Sequence, residues 1–288
     1  MGSNASKVES PATETNTVTI PRTPQDVVDE ILDHLATDSD FGSLKTCALV
    51  SKTWVPSCRR HIFHTVQFTP RDVDRWFKTF PAPEESPARY VRDLRVCMGT
   101  FPYIPEKFFE HIWWFADVER ISLLGYEGTP MGYTERLLPQ WAPSLWRLPK
   151  SVTHLTINTG VLTLLHVRGI MAQLPNLDDL SLILVGPPAP VDRRELLGTG
   201  TVLEGRFGGK LSLHGGYVDT DAVDMFLEIP SGLHFTGIRI SCSREALPSA
   251  VRIAEASSST LVKLTYTVIS PGKSHGFYLS GWFQRQGC

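Results

Sequence analysis

The chain has 288 residues, with 28 basic and 30 acidic side chains and a hydrophobic content of 42%. This composition is typical of a folded protein with one large domain, or with a small and a larger domain. A net charge of −2 indicates no basic surface for DNA or RNA. No apolar run reaches the roughly 18 residues that a membrane-spanning helix needs. We therefore expect neither nucleic-acid binding nor a membrane span.

The cysteine pattern predicts a reducing compartment. There are five cysteines, an odd number, and none forms a C-x-x-C pair. The first residues are polar and do not have the pattern of a secretory signal peptide. These features indicate free thiols and a cytoplasmic or nuclear protein.

The first six residues match the pattern M-G-x-x-x-[ST], which predicts myristoylation of Gly2. A chance match is the alternative. A single acyl chain holds a protein to a membrane only weakly, and no nearby cysteine or polybasic run adds a second anchor. Membrane association is therefore expected only if Gly2 is modified. The composition of residues 1–19 otherwise predicts a disordered tail.

Residues 20–66 have the pattern of three short helices. Thr23 precedes Pro24 and stands three residues before Asp26, which is typical of a helix that begins at Pro24. Apolar and small residues then recur at helical spacing in three stripes: Val28, Ile31, Leu32 and Leu35; Leu44, Cys47, Ala48 and Ser51; Trp54, Cys58 and Ile62. Three such helices bury little surface alone, so we expect a partner or a neighbouring domain to cover them.

This segment resembles an F-box. Residues 23–26 stand where that family has Leu-Pro-x-Glu, residues 27–35 match its first helix, and residues 44–54 match its L-x-x-C/V-x-L-V-x-K-x-W core. Two positions depart from the pattern, since Thr23 replaces Leu and Asp26 replaces Glu. A helical hairpin that belongs to a larger core is the alternative.

The resemblance implies that the segment docks onto a Skp-type adaptor and, through it, onto a cullin. The residues that it implies for this contact are Pro24, Val27, Val28, Ile31, Leu32, Leu35, Leu44, Leu49, Val50 and Trp54.

Residues 67–288 repeat the pattern apolar-x-x-apolar-x-apolar six times, with one further partial copy. The middle apolar residue of each copy, here called the marker, recurs at intervals of 25 to 34 residues: Leu94, Ile121, Leu155, Leu180, Leu211, Ile238 and Leu264. The alternation predicts a short strand in each copy. Helix-like stretches at 106–116, 162–173, 222–228 and 244–256 lie between strands and predict a parallel sheet, with the markers on neighbouring strands facing one core.

The repeat resembles that of leucine-rich-repeat proteins, which have the same L-x-x-L-x-L core. The resemblance implies an α/β solenoid with a parallel sheet, preceded by the small three-helix F-box. The Asn or Cys that the family has after the last Leu is absent here, so we expect irregular repeats whose turns lack those hydrogen bonds. A single compact α/β domain is the alternative, because its βα units also have unequal lengths.

Two stretches interrupt the repeat. Residues 101–149 are rich in aromatic side chains, and residues 186–210 are rich in proline and glycine and predict a long loop. Aromatic residues lie in cores more often than in contacts, but loops outside a repeat are common binding sites. The candidates for target binding are therefore Tyr126, Tyr133, Arg193 and Arg194, together with the face of the sheet that helices leave open.

Catalytic motifs are missing from the sequence. It contains no G-x-S-x-G, H-E-x-x-H, phosphate loop or dinucleotide-binding G-x-G-x-x-G. Cys58, His61 and His64 have a metal-like spacing, but on a helix the first and last of them do not share a face. We expect no catalytic residue, no metal and no cofactor.

The two resemblances together imply a substrate-recognition subunit of an SCF-type cullin-RING ubiquitin ligase, with the repeat domain holding an unknown target protein. Two alternatives remain open: an interaction scaffold that works without a ligase, and an enzyme of unrecognised type on the α/β domain.

Overall fold

The structure is a computed structural model, which describes residues 24–98, 108, 110–125, 148–158, 164–183, 207–214, 223, 226–227, 229, 232–268 and 279–284. The chain divides into two compact units, residues 1–58 and residues 59–288. The described part of the first unit is helical, and the second unit is α/β.

The first unit contains α1 (Gln25–Thr37), α2 (Phe41–Val50) and the start of α3 (Val55–Ile62), which crosses the boundary between the units. The expectation that Pro24 begins α1 is wrong by one residue, because the extended ψ of Pro24, 138°, places it before the first turn. The carboxylate of Asp40 accepts a 3.0 Å hydrogen bond from the N–H of Ser43 and so caps α2. Pro56 lies in the first turn of α3, where no intrahelical bond is lost.

The second unit contains a nine-stranded sheet whose strand order follows the chain order. Strands β1 to β8 are parallel, and β9 is antiparallel to β8. Their bounds are β1 Thr65–Phe68, β2 Asp93–Met98, β3 Arg120–Gly125, β4 His154–Asn158, β5 Asp179–Ile183, β6 Phe207–His214, β7 Leu233–Cys242, β8 Lys263–Val268 and β9 Leu279–Gln284. The predicted parallel sheet is confirmed. The sequence pattern did not predict β1 or β9.

The seven markers form one continuous row across the sheet. Each is the register partner of the next, from Leu94 opposite Ile121 through to Ile238 opposite Leu264. The first six side chains are buried, and Leu264 is half-buried against the core. The prediction that the markers lie on neighbouring strands and face one core is therefore confirmed, with a less covered last position.

Besides single helical positions at 108, 110, 223, 226 and 227, the part of the second unit that the structure describes has three further helices: α4 Pro70–Thr79, α5 Leu164–Gln173 and α6 Leu247–Ala256. Short 3₁₀ turns occupy Pro87–Tyr90 and Ile112–Trp114. The predicted helix at 162–173 is confirmed, and the one at 244–256 begins later, at Leu247. In the described part of 106–116, residues 108 and 110 are α-helical as expected, and the 3₁₀ turn follows them at Ile112–Trp114.

Helix α4 was not predicted, although its start has a strong local signal. Thr69 precedes Pro70, and the carboxylate of Asp72 accepts hydrogen bonds from the N–H (3.0 Å) and the hydroxyl (2.6 Å) of Thr69.

One hydrophobic core joins the sheet to these helices. The helical contributions are Val73 and Phe77 from α4, Val167, Ile170 and Met171 from α5, and Ala250 and Ile253 from α6. Near β1, the ring of Phe68 packs edge-on against those of Phe108 and Phe115, with centroids 5.6 and 6.0 Å apart. The opposite face of the sheet is therefore the one that these core residues leave open.

Repeating hydrogen bonds fix the start of several strands. The carbonyl of Arg92 accepts hydrogen bonds from the N–H groups of Glu119 and Arg120, both at 2.9 Å. In the same way, the carbonyls of Glu119 and Thr153 each accept two N–H groups at the starts of β4 and β5. Polar side chains four residues before a marker donate hydrogen bonds to backbone carbonyls of the preceding repeat. These bonds are Ser151 to Val118 (2.7 Å), Asn176 to Lys150 (2.9 Å) and Thr260 to Phe235 (3.1 Å). Hydrogen bonds at the starts of the strands thus join neighbouring repeats.

Candidate binding surfaces

The helical unit exposes large apolar side chains. The exposed fractions are 44% for Val27 and 51% for Ile31 on α1, and 87% for Leu49 and 65% for Val50 at the end of α2. Phe41, at the start of α2, is 46% exposed. Helices in a folded protein normally turn such side chains away from water, so this apolar surface is a candidate for contact with another protein.

The ten residues implied for adaptor binding fall into two groups. Val28, Leu32 and Leu44 are buried, so their side chains are not at the surface. The other seven keep exposed area, with Leu35 and Trp54 half-buried and the rest exposed: Pro24, Val27, Ile31, Leu35, Leu49, Val50 and Trp54. A contact with a partner therefore depends on these seven.

Polar contacts within the helical unit join α1 to α3 and cap α2. The hydroxyl of Ser57 on α3 donates a 2.8 Å hydrogen bond to the carboxylate of Asp29 on α1, which also accepts one of 2.9 Å from Gln25. The side-chain hydrogen bond from Ser43 lowers the pKa of Asp40 below its ordinary value, so the cap of α2 stays ionised at neutral pH. The apolar surface thus lies on helices whose ends are fixed.

The open face of the sheet carries two polar rows, one on each side of the marker row. The row before the markers contains Asp93, Arg120, His154, Asp179, Lys210, Gly237 and Lys263. The row after the markers contains Arg95, Ser122, Thr156, Ser181, Ser212, Arg239 and Thr265. Every member is polar or charged, apart from one glycine. Side chains on alternate strand positions share a face, so both rows lie opposite the core.

At the β2–β3 end of this face, the charges neutralise one another. The carboxylate of Asp93 lies 2.9 Å from the guanidinium of Arg95 and 4.0 Å from that of Arg120 on the next strand. The side chain of Asp93 is only 10% exposed, so these contacts compensate a largely desolvated charge. The hydrogen bond to Asp93 also raises the pKa of Arg95.

At the β6–β8 end, the same face forms an open cavity of about 540 Å³. Its polar lining consists mainly of Lys210 and Ser212 on β6, Gly237 and Arg239 on β7, and Lys263 and Thr265 on β8. Asp179 on β5 stands at its edge. Gly237 is the register partner of both Lys210 and Lys263, so the two lysines flank a position without a side chain.

His214 lies on the same face, at the end of β6, near Arg239. Burial lowers the pKa of His214, and the positive charge of Arg239 lowers it further. The imidazole is therefore mostly neutral at pH 7, and it reports on the electrostatic potential beside the cavity.

A second cavity, of about 620 Å³, lies on the core side of the sheet between α6 and strands β7 and β8. Its lining is apolar and includes Leu247, Ala250, Ala254, Leu261, Leu264 and Tyr266. Among the described helices, α6 is the last over this side of the sheet, and Tyr266 keeps 39% of its surface exposed. The cavity continues the hydrophobic core, and Glu255 and Ser258 are the polar residues among its described lining.

The residues predicted for target binding, Tyr126, Tyr133, Arg193 and Arg194, lie outside the described residues, as does the lipidation candidate Gly2. The structure instead brings together Lys210, Arg239 and Lys263, which the sequence analysis did not single out. The sequence pattern could have placed these three side chains on the open face, because each is adjacent to a marker on a predicted strand.

Within the described ranges, no group of three or more His, Cys, Asp or Glu side chains is placed to hold a metal ion. Among the described helices, none is both long and apolar enough to span a bilayer. No protein-family model matches the sequence, and a search of curated proteins returns no match.

Proposed function

We propose that this chain is a substrate-recognition subunit of an SCF-type cullin-RING ubiquitin ligase. In this proposal, the helical unit is an F-box that docks onto a Skp-type adaptor. The second unit is an irregular leucine-rich-repeat-like domain that holds a target protein. The chain then acts in the cytoplasm or nucleus and breaks no bond itself. It contributes by raising the effective concentration of target lysines near the ubiquitin-loaded enzyme.

The observation that carries the proposal is the exposed apolar surface of the helical unit. Ile31, Leu49 and Val50 are more than half exposed, and they occupy positions of the F-box motif that the sequence matches. Burying them in an interface removes apolar area from water, at about 25 cal/mol per Å² before the costs of association. The sequential strand order and the in-register markers support the repeat-domain half of the proposal, since each repeat then packs against the next.

Co-purification with a Skp-type adaptor tests the proposal. The full chain carrying Ile31→Glu and Leu49→Glu is compared with the unmodified chain, because a charge buried in an apolar interface costs several kcal/mol. Val251→Glu is the matched control, since Val251 is similarly exposed, at 46%, but lies on α6 in the second unit. We expect the double variant to lose the adaptor and the control to keep it.

Three outcomes contradict the proposal. If the unmodified chain does not retain the adaptor, or if the double variant retains it equally well, the helical unit is not an F-box. If the adaptor is retained but no cullin accompanies it, the chain is an interaction scaffold instead of a ligase subunit.

A further inference from the structure

The cavity at the β6–β8 end of the open sheet face has a charge opposite to that of the whole chain. Among the described lining residues, Lys210 and Arg239 contribute two positive charges and Asp179 one negative charge, so the local charge at neutral pH is positive before Lys263 is counted. The net charge of the chain is −2. A cavity with positive walls attracts anions, although the protein as a whole does not.

The cationic side chains of this cavity differ from those at the other end of the face. Arg95 and Arg239 belong to the same row, but Arg95 lies 2.9 Å from the carboxylate of Asp93. Within the described part of the chain, no acidic side chain forms an ion pair with Lys210 or Arg239. Asp179 is the register partner of Lys210, yet the two are not within ion-pair distance. Among the described residues, no acidic side chain neutralises the charge of Lys210 or Arg239, and both side chains line the cavity.

The shape of the cavity fits an extended chain. Gly237 leaves a gap between Lys210 and Lys263, whose strands lie two sheet spacings apart, roughly 10 Å. In an extended peptide, side chains that share a face are two or four residues apart, at separations of about 7 and 13 Å, which bracket the distance between the two lysine strands. The hydroxyls of Ser212 and Thr265, on either side of Arg239, add hydrogen-bonding groups for a peptide backbone.

We propose that this cavity, formed by Lys210, Arg239, Lys263 and the gap at Gly237, binds an extended acidic segment of a target protein through its carboxylates. The positive charges are distributed along the cavity, which fits several single carboxylates better than one phosphate. None of the described residues that line the cavity is aromatic, so among them nucleic-acid bases have no stacking platform. The inference rests on the proposal that the second unit holds a target, but not on the identity of the helical unit as an F-box.

Fluorescence polarisation with the full chain tests this site. The probe is a fluorescein-labelled oligoglutamate, compared with an oligoglutamine of the same length. We expect the oligoglutamate to bind and its affinity to fall with added salt, and we expect no binding of the oligoglutamine. Lys210→Gln and Arg239→Gln should each weaken binding about tenfold, because each removes a charge-assisted contact.

Arg95→Gln is the matched control. It removes the same type of side chain from the same row, at an exposed position where Asp93 already neutralises the charge. We expect it to leave the affinity for oligoglutamate within about twofold, since a change of that size is only a few tenths of a kcal/mol. Thermal unfolding of each variant checks that the fold is intact, and Arg95→Gln should lower the unfolding temperature somewhat, because the desolvated carboxylate of Asp93 then keeps only the longer contact with Arg120.

Four results overturn the inference. They are no binding of oligoglutamate, an equal loss in the Arg95 and Arg239 variants, tighter binding of a single-stranded oligothymidylate, or binding only of a phosphoserine peptide. Co-purification of the Lys210 and Arg239 variants with the adaptor separates this inference from the proposed function. If they keep the adaptor but lose the peptide, both proposals stand, whereas loss of the peptide in a chain that never binds the adaptor supports the cavity alone.

Discussion

Gly209 lies directly against Asp178, so closely that a Cβ atom added to Gly209 would clash with the carbonyl oxygen of Asp178. The same carbonyl accepts a 2.6 Å hydrogen bond from the N–H of Lys210. The register between β6 and β7 shifts between Gly209 and Lys210, and Gly209 has a φ of +85°. This irregularity places Lys210 opposite Gly237 and so sets the geometry of the basic cavity.

Gly209→Ala should therefore destabilise the second unit strongly. The positive φ costs an alanine about 1 kcal/mol, and the backbone clash with Asp178 adds a further cost, for a total of about 2 to 5 kcal/mol. Gly232→Ala is the matched control, since Gly232 has a similar φ of +76° but no atom within 4 Å of the added Cβ. It should cost only about 1 kcal/mol. Urea unfolding of both variants measures the difference, and equal losses would show that the contact with Asp178 is unimportant.

The marker row could be predicted from the sequence because its signal is local and repeated. Leu94, Ile121 and the later markers each sit in the same short apolar pattern, and a sheet that follows the chain order brings them together. The start of β6 could not be predicted in this way. Phe207, Gly208 and Gly209 lie in the stretch interpreted as a long loop, because glycines usually indicate a loop and here form an irregular strand start.

The basic cavity was less accessible to sequence reasoning than the core. Lys210, Arg239 and Lys263 are far apart in the chain, and their proximity depends on register, including the shift at Gly209. Alternation predicts which face each side chain occupies, but it does not predict which strands are neighbours. The apolar surface of the helical unit was predicted as a set, but the sequence could not separate buried Val28 from exposed Val27, since both are apolar and adjacent.

The contact between Asp72 and Thr69 makes part of the stability of the second unit depend on pH. The side-chain hydrogen bond from Thr69 and the backbone one lower the pKa of Asp72 below its ordinary value near 3.8. A carboxyl whose pKa is lower in the folded state stabilises that state above the ordinary pKa. The stabilisation is lost as the pH falls through the folded-state pKa.

Asp72→Asn should cost about 0.5 to 2 kcal/mol at pH 7, the range measured for the loss of helix caps. As the pH falls below the ordinary pKa of 3.8, the difference from the unmodified chain should shrink, because the stabilisation by the ionised carboxylate is then lost. Urea unfolding at several pH values checks this, with Asp74→Asn on the same helix as the control. A difference that stays constant from pH 7 to pH 3 would show that the carboxylate charge plays no part.

His214 reports on the charge of the basic cavity. Burial lowers its pKa, and the positive charge of Arg239 lowers it further. Removing that charge in Arg239→Gln makes protonation of the imidazole easier, so the pKa of His214 should rise but stay below its ordinary value, because burial remains. Arg95→Gln, on the distant β2, should leave it unchanged. An NMR titration of the ring protons measures the pKa, and the spectrum of His214→Gln assigns the signal among the nine histidines.

Saturating oligoglutamate should also raise this pKa in the unmodified chain, since carboxylates held beside Arg239 offset its charge. An unchanged pKa in both Arg239→Gln and the peptide complex would show that His214 does not sense the cavity.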